Sequence, residues 1–377
     1  LLMVCNSCLS AQGDTKSYRN VLIFSFILNI LLNPILITGK LFGMKLFFPL
    51  GISGIAIATI LSQFVGIFYL LFNFFYKFML IMKKDYSKEI PHWLFKQLPY
   101  SHYSVNVGGK NMHVMEKGTG RPIVFLHGNP MWGYLYRKIL NKLDGVSARL
   151  IVPDLIGFGF SDKIKLHEHS LAAHSEWMAN FFNQIKEEKI GMVVHDWGGM
   201  IGVAGAMKAG KKIDGLIVMN TAITAPKDGF KPTWFHALSQ FPIVSNLLFR
   251  VLNFPLSALN KFQGVPGSFS KDVVKAYKYP LRKMRDNSGP LALARMVPNN
   301  MNHPSVPLEK EIEKFLQQYN GPAQIVWGMN DPVMWKLRRR TARLLPQAKI
   351  VKTEAGHFVQ EETPQKVIES IKEIFKL

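Results

Sequence analysis

The sequence predicts an α/β domain, an eight-stranded, mostly parallel sheet with a helical cap insertion, preceded by two transmembrane helices. Three observations carry that expectation. No charged residue stands between Arg19 and Lys40 or between Lys45 and Lys77, and each gap can hold the roughly 20 apolar residues of a bilayer span. Beyond residue 100, short apolar runs alternate with stretches of helical periodicity, the pattern of a parallel sheet covered by helices. Between 220 and 323 the alternation stops for a segment rich in Pro, Phe and Trp that is too long to be a connection.

Composition narrows the function classes. With 48% hydrophobic residues in 377 the chain is not disordered, and its length allows two or three domains. Eight basic against three acidic residues in 1–90 give +5 of the net +21, leaving +16 on the remainder. That remainder lacks the interleaved glycines and aromatics of single-strand binders, so a basic surface facing anionic lipid is expected and no nucleic-acid partner. The run RRR at 338–340 reads as a solvated helix face. Both cysteines, Cys5 and Cys8, lie in the first ten residues, so no disulfide framework supports the main domain, and one C-x-x-C without a second pair does not point to a metal.

Residues 1–82 form the expected membrane segment, with spans at about 20–38 and 52–76 and a kink at Asn33-Pro34. The small residues of GISGIAIA suit close packing of helices. Lys16, Arg19, Lys77, Lys83, Lys84 and Lys88 fall on one side and only Lys40 and Lys45 on the other, which places the following domain in the cytoplasm. SAQGDTKS at 10–17 and PLGISGIAIATILSQ at 49–63 resemble the middle of one lobe of a multidrug and toxin extrusion (MATE) transporter. The resemblance covers about 80 residues, far short of a full set of helices, so it implies membrane attachment rather than transport. The chain opens on Leu1 rather than Met, as a fragment or a fused reading frame does.

A linker at 83–98 then leads to an α/β domain at 99–377 with its cap at about 221–315. SHYSVNVGGKNMHVME at 101–116 reads as a hairpin turning at Gly108-Gly109. Strands follow at 123–126, 149–152, 191–194, 215–219, 324–327 and 348–352, with helices at 171–188, 199–209, 335–345 and 364–376. The cap covers the carboxyl edge of the sheet, where open α/β sheets bind ligands.

The stretch GMVVHDWGGM, 191–200, raises the chemical question. A strand that turns sharply into glycines is a nucleophile elbow, and Asp196 stands at its tip where a serine would be usual. A carboxylate there cleaves ordinary esters poorly, because the product would be an anhydride. It attacks an alkyl carbon well, giving an alkyl ester on the enzyme that activated water can hydrolyse. Asp331 in VWGMNDPVM follows the seventh strand and His357 in EAGHFVQEE follows the eighth, in the order nucleophile, acid, base. Asn220 stands after strand six, so no second carboxylate competes there. Asn129 in FLHGNPMW and Trp197 after the nucleophile offer an amide and an indole N–H to a departing anion.

HGNPMW, DLIGFGFSDK at 154–163, VVHDWGGM, WGMNDPVM and AGHFVQEE together resemble the haloalkane dehalogenases, over nearly all of 100–377. The resemblance implies the α/β-hydrolase fold, hydrolytic dehalogenation with no cofactor, a small apolar substrate, Asp196 as nucleophile, His357 as base, Asp331 as acid, and Asn129 with Trp197 as halide pair. HDWGGMIG at 195–202 and NTA at 220–222 are also similar to β-lactone decarboxylases. Epoxide hydrolases are a further alternative, with Tyr277 and Tyr279 as candidate ring-opening acids. Outside enzymology, the rivals are a membrane transport fragment with an inert passenger domain and an inert α/β binding scaffold. HEHSLAAH at 167–174 lacks the helical spacing of a zinc protease, GFGFSD lacks a phosphate-binding pattern, and His127 and His195 read as packed structural residues.

Overall fold

In the computed structural model the chain divides into two compact units, Leu1–Lys84 and Asp85–Leu377. The structure describes residues 16–41, 44–46, 48–81, 89–227, 229–230, 234–254 and 256–377. Cys5 and Cys8, the start of SAQGDTKS, and Lys83, Lys84 and Lys88 lie outside the described residues.

The first unit is a helical hairpin of α1 (Lys16–Thr38) and α2 (Ile52–Ile81). Arg19–Thr38 and Ile52–Leu71 are each long and apolar enough to cross a membrane. The expected close packing is present at Gly54, where a Cβ would stand 2.8 Å from the backbone carbon of Leu36. Asn33 donates to Asn29 Oδ1 (2.8 Å), and Asn29 donates to Thr59 Oγ1 across the hairpin (3.2 Å).

The second unit holds eight strands: β1 (Ser101–Asn106), β2 (Asn111–Lys117), β3 (Arg121–Leu126), β4 (Ala148–Pro153), β5 (Lys189–His195), β6 (Lys212–Met219), β7 (Ala323–Gly328) and β8 (Lys349–Thr353). Their order across the sheet is β8-β7-β6-β5-β3-β4-β2-β1. β1 and β2 are antiparallel to their neighbours and the rest run parallel. The central strands are apolar at successive positions because both faces are covered. Helix α3 (Leu171–Phe182) packs beside α4 (Trp197–Lys208), and the C-terminal helix, Pro364–Phe375, closes the sheet by setting Phe375 against Gly191 and Gly215. At both glycines a Cβ would strike the ring.

Two expected boundaries move. The linker does not run to 98, because Ile90, Leu94 and Leu98 are buried in the main core. The cap is built of short helices, α5 (Trp234–Ser239), α6 (Pro242–Ser245), α7 (Lys271–Lys278) and α8 (Ser288–Arg295). It stops before 315: α9 (Val306–Gln317) buries Ile312 and Leu316 in the sheet's core and packs on α4, so it belongs to the sheet's helical layer, as does α10 (Arg338–Leu344).

Candidate active site

Asp196 follows the last residue of β5 and precedes α4, with φ 49° and ψ −129°. That left-handed turn is uncommon for a residue with a side chain. It is held because glycines clear the space around it: a Cβ at Gly128 would overlap the Asp196 carboxylate, and one at Gly198 would overlap the Leu126 carbonyl. The Asn129 backbone N–H donates to Asp196 Oδ1 at 2.7 Å, and Thr221 Oγ1 donates to the Asp196 carbonyl at 2.5 Å. The nucleophile position is therefore fixed from three strand ends, those of β3, β5 and β6.

His357 lies in the loop after β8, buried, with Nε2 3.5 Å from Asp196 Oδ2 and Nδ1 donating to Asp331 Oδ2 at 2.8 Å. Asp331 follows β7 and accepts at Oδ1 from the Val333 and Met334 backbone N–H groups (2.7 and 3.0 Å). The expected nucleophile, base and acid thus meet in one line. Burial disfavours the charge on His357, yet the Asp331 and Asp196 carboxylates outweigh it and lift its pKa to about 10. Burial alone would raise both carboxyls, but contact with His357 holds Asp196 and Asp331 below the usual range, Asp331 being helped by Asn220. Two carboxylates and one imidazolium share the resting site.

Asn220 is a positioning residue, where the sequence shows only that no acid follows β6. Its Nδ2 donates to Asp331 Oδ2 at 2.6 Å, and its Oδ1 accepts from the Gly328 N–H at 2.8 Å, which ties β6 to β7 under the histidine. A polar residue at a strand end gives no sign in the sequence of which neighbour it will meet.

Asn129 and Trp197 both line a cavity of about 360 Å³ together with Asp196 and His357. Asn129 Nδ2 gives one hydrogen bond to the cap, to the Pro290 carbonyl at 3.0 Å, and keeps a second N–H. Among the described residues the Trp197 indole N–H has no hydrogen-bond partner. Met200, Leu259, Phe262, Val333, Met334 and Phe358 supply apolar wall. A polar pole lies in the same cavity, made of Thr224, Glu309 and Arg340. Glu309 is only 4% exposed, and burial lifts its carboxyl to about 7 against the pull of Arg340. Within PSVPLEKEIEK it looks like one more solvated helix charge, and only packing reveals it.

Other candidates lie elsewhere. Tyr277 donates its hydroxyl to Glu361, which is buried against Arg137, and Tyr279 packs on Trp93 with Arg282 over its ring. Neither lines the cavity, and no tyrosine does among the described residues. That removes the ring-opening acids expected for epoxides. His127 accepts from the Leu155 N–H (2.9 Å) and His195 donates to the His357 carbonyl (2.8 Å), so both brace the catalytic loops. His169 and His174 stack and share a hydrogen bond of 2.9 Å.

A family model described as alpha/beta hydrolase fold matches residues 121–364. Haloalkane dehalogenase 1 of Mycobacterium tuberculosis is 30% identical over 252 residues, 66% of this chain and 81% of the relative. A cis-3-alkyl-4-alkyloxetan-2-one decarboxylase of Shewanella oneidensis is 27% identical over 282 residues, 73% of this chain and 88% of the relative. Among solved structures, the haloalkane dehalogenase DatA of Agrobacterium tumefaciens superposes with a TM-score of 0.66 at 23% identity, over 75% of this chain and 98% of its own, a likeness of fold.

Proposed function

The chain belongs to the haloalkane dehalogenase-like α/β hydrolases, and from that premise we propose that it cleaves carbon–halogen bonds of small apolar haloalkanes through an ester on Asp196. The observation that carries the reading is the carboxylate at the elbow, with Oδ1 held by a backbone N–H and Oδ2 turned toward His357. In the first step Oδ2 attacks the carbon that bears the halogen, the C–O bond forms as the C–X bond breaks, and the halide leaves toward the N–H groups of Trp197 and Asn129. Forming the ester removes the Asp196 charge, one of the two that keep a proton on His357. Its pKa falls, the ring gives up that proton to solvent, and the neutral imidazole takes a proton from water as the water oxygen attacks the ester carbonyl carbon. The resulting oxyanion at Oδ1 meets the Asn129 backbone N–H. Collapse releases the alcohol, with the proton returned by His357 to the departing oxygen, and Asp331 holds the imidazole oriented throughout.

A β-lactone is the second reading, supported by the likeness to the decarboxylase relative. Asp196 would open such a ring at its alkyl carbon with the same geometry. An epoxide would need an acid to protonate the opening oxygen, and no tyrosine among the described residues is in reach.

Replacing His357→Phe tests the covalent step. Alkylation proceeds, hydrolysis stops, and mass spectrometry finds Asp196 heavier by the alkyl group. An adduct elsewhere, or none with haloalkanes or β-lactones, rejects the mechanism.

For the first unit we propose a membrane anchor, with the α/β unit on the cytoplasmic side. Its two apolar helices, the six-against-two distribution of basic residues and the MATE-like motif at 49–63 support this reading. The full chain should resist alkaline carbonate extraction from membranes, and residues 85–377 should not.

A further inference from the structure

The cap carries a helical segment that is apolar on both sides. α6 continues through Asn246–Val251, and Pro242–Val251 is apolar over ten residues, too short to cross a bilayer. Its inner side packs Phe249 against Leu291 and Ala294, which satisfies the cap's own small core. Its outer side presents Phe241, Ile243, Val244, Leu247, Val251 and Leu252, with exposures from 44% at Val244 to 87% at Ile243. Isolated exposed apolar residues are ordinary, but six within twelve positions on one short segment form a patch of the kind that marks an interaction site.

The charges beside it decide what the patch meets. Between 241 and 286 the sequence holds eight basic residues and two acidic ones, Asp272 and Asp286. The segment Met284–Asp286 packs on Asn246–Val251, and Asn253 donates to the Leu281 carbonyl at 3.1 Å, so exposed Arg282 and Lys283 adjoin the apolar patch. Lys271, Lys275 and Lys278 continue the basic surface along α7. A protein partner complementary to the patch would need an apolar face ringed by acids. An anionic bilayer offers that combination over any area, with apolar depth below negative headgroups.

We propose that this cap face docks on anionic lipid, with Ile243 and Leu247 seated at the headgroup–acyl boundary and Arg282 and Lys283 on the headgroups. The same segment adjoins α5, whose His236 lines the cavity, so docking brings the cap of the substrate pocket against the phase in which apolar substrates collect. The inference does not depend on the reaction proposed above, nor on the first unit.

The test uses residues 85–377, whose hydrophobic core, from Ile90 to Phe375, is complete without the first unit. Sedimentation with phosphatidylcholine vesicles containing phosphatidylglycerol should recover the protein, and vesicles of phosphatidylcholine alone should recover far less. Ile243→Asp with Leu247→Asp should weaken binding by about tenfold or more at an unchanged melting temperature, since both side chains are exposed. Arg282→Glu with Lys283→Glu should weaken it less, and should weaken it little at high salt. Failure of the wild type to bind either vesicle overturns the proposal, as does binding that the paired aspartates leave intact. So does a dimer in solution that the aspartates dissociate, because the face would then be covered by a second copy.

Discussion

The loops at the sheet's edge and the cap above them build one cavity by opposite means. On the sheet side, every catalytic candidate sits at a strand end, is buried and is fixed by named hydrogen bonds: Asp196 to Asn129, Asp331 to Asn220, Val333 and Met334, and His357 to Asp331. The cap contributes Phe230, His236, Leu259 and Phe262 from short helices and loops, and meets the sheet side through the bonds from Asn129 Nδ2 to the Pro290 carbonyl and from the His357 N–H to the Phe262 carbonyl. Reacting atoms have to be held within a fraction of an ångström, and parallel strands do that. Walls need only exclude water and set a shape. Reaction type is therefore expected to follow the sheet, and substrate choice the walls, which the cap shares with Met200, Glu309, Met334 and Arg340.

The largest expected effect comes from breaking the sheet side. Asp331→Asn removes the charge that orients His357 and sets a second amide against Asn220, and turnover should fall about 10⁴-fold, with the alkyl ester accumulating. A loss under about tenfold, measured in single-turnover experiments, would mean that Asp331 is not the acid. Next in size, Trp197→Phe keeps the packing and removes one donor to the leaving halide, which should cost roughly 100- to 1000-fold on haloalkanes. On a β-lactone, whose carboxylate stays tethered as the ring opens, the loss should be nearer tenfold. Equal losses on both would erase the distinction between the two leaving groups.

Acid should loosen the sheet unit and the cap alike, since desolvation also holds His236 of α5 near 4. His169 and His195 are buried and His102 half-buried, and desolvation holds each near 4 against an ordinary 6.5. The unfolded chain takes up these protons first, so the stability they represent is present above pH 6.5 and disappears as pH falls toward 4, on the order of 1–3 kcal/mol per histidine. Urea midpoints measured across that window should drop steeply, and a flat profile would contradict the burial of these rings. His357 has the opposite sign: its pKa is raised, so its contribution is complete below 6.5 and is lost as pH rises through about 10. The smallest effect is expected in the cap, where Phe230→Ala should raise KM by about tenfold or less and change the rate of the trapped alkylation little. A thousandfold fall in kcat would show that the cap positions reacting atoms after all.

The same contrast governs what can be read from the sequence. The central strands are legible because a run covered on both faces must be apolar at every position. The elbow is legible because Asp-Trp-Gly-Gly directly after such a run suits a tight strand-to-helix turn, where bulkier residues would collide. Asp331 and His357 follow from their places after strands seven and eight. Asn220, Gly128 and Glu309 are not legible in their roles, since each depends on a neighbour distant in sequence: Asp331, the Asp196 carboxylate and Arg340. Tyr277 misleads for the same reason, as its partner Glu361 lies 84 residues away. The cap's limits blur because helices such as α9 carry the same periodicity whether they cover the sheet or the pocket.

The paired ends of β5 and β6 set a rule for changes in chain length. His195 lies opposite Met219 in the ladder, so Asp196 and Asn220 occupy the next rung, and both turn out of the sheet there with φ of 49° and 32°. One residue inserted in either strand would move its end group by about 3.3 Å and turn it to the other face, parting Asp196 from His357 or Asn220 from Asp331. The cap leaves after β6 and returns before β7, strands that are direct neighbours, so its length is free as long as its two ends stay side by side. Insertions and deletions among relatives should therefore collect between 221 and 305 and spare 189–196 and 212–220, and a cap shortened or exchanged between relatives should yield a folded protein with its carboxylate still in place.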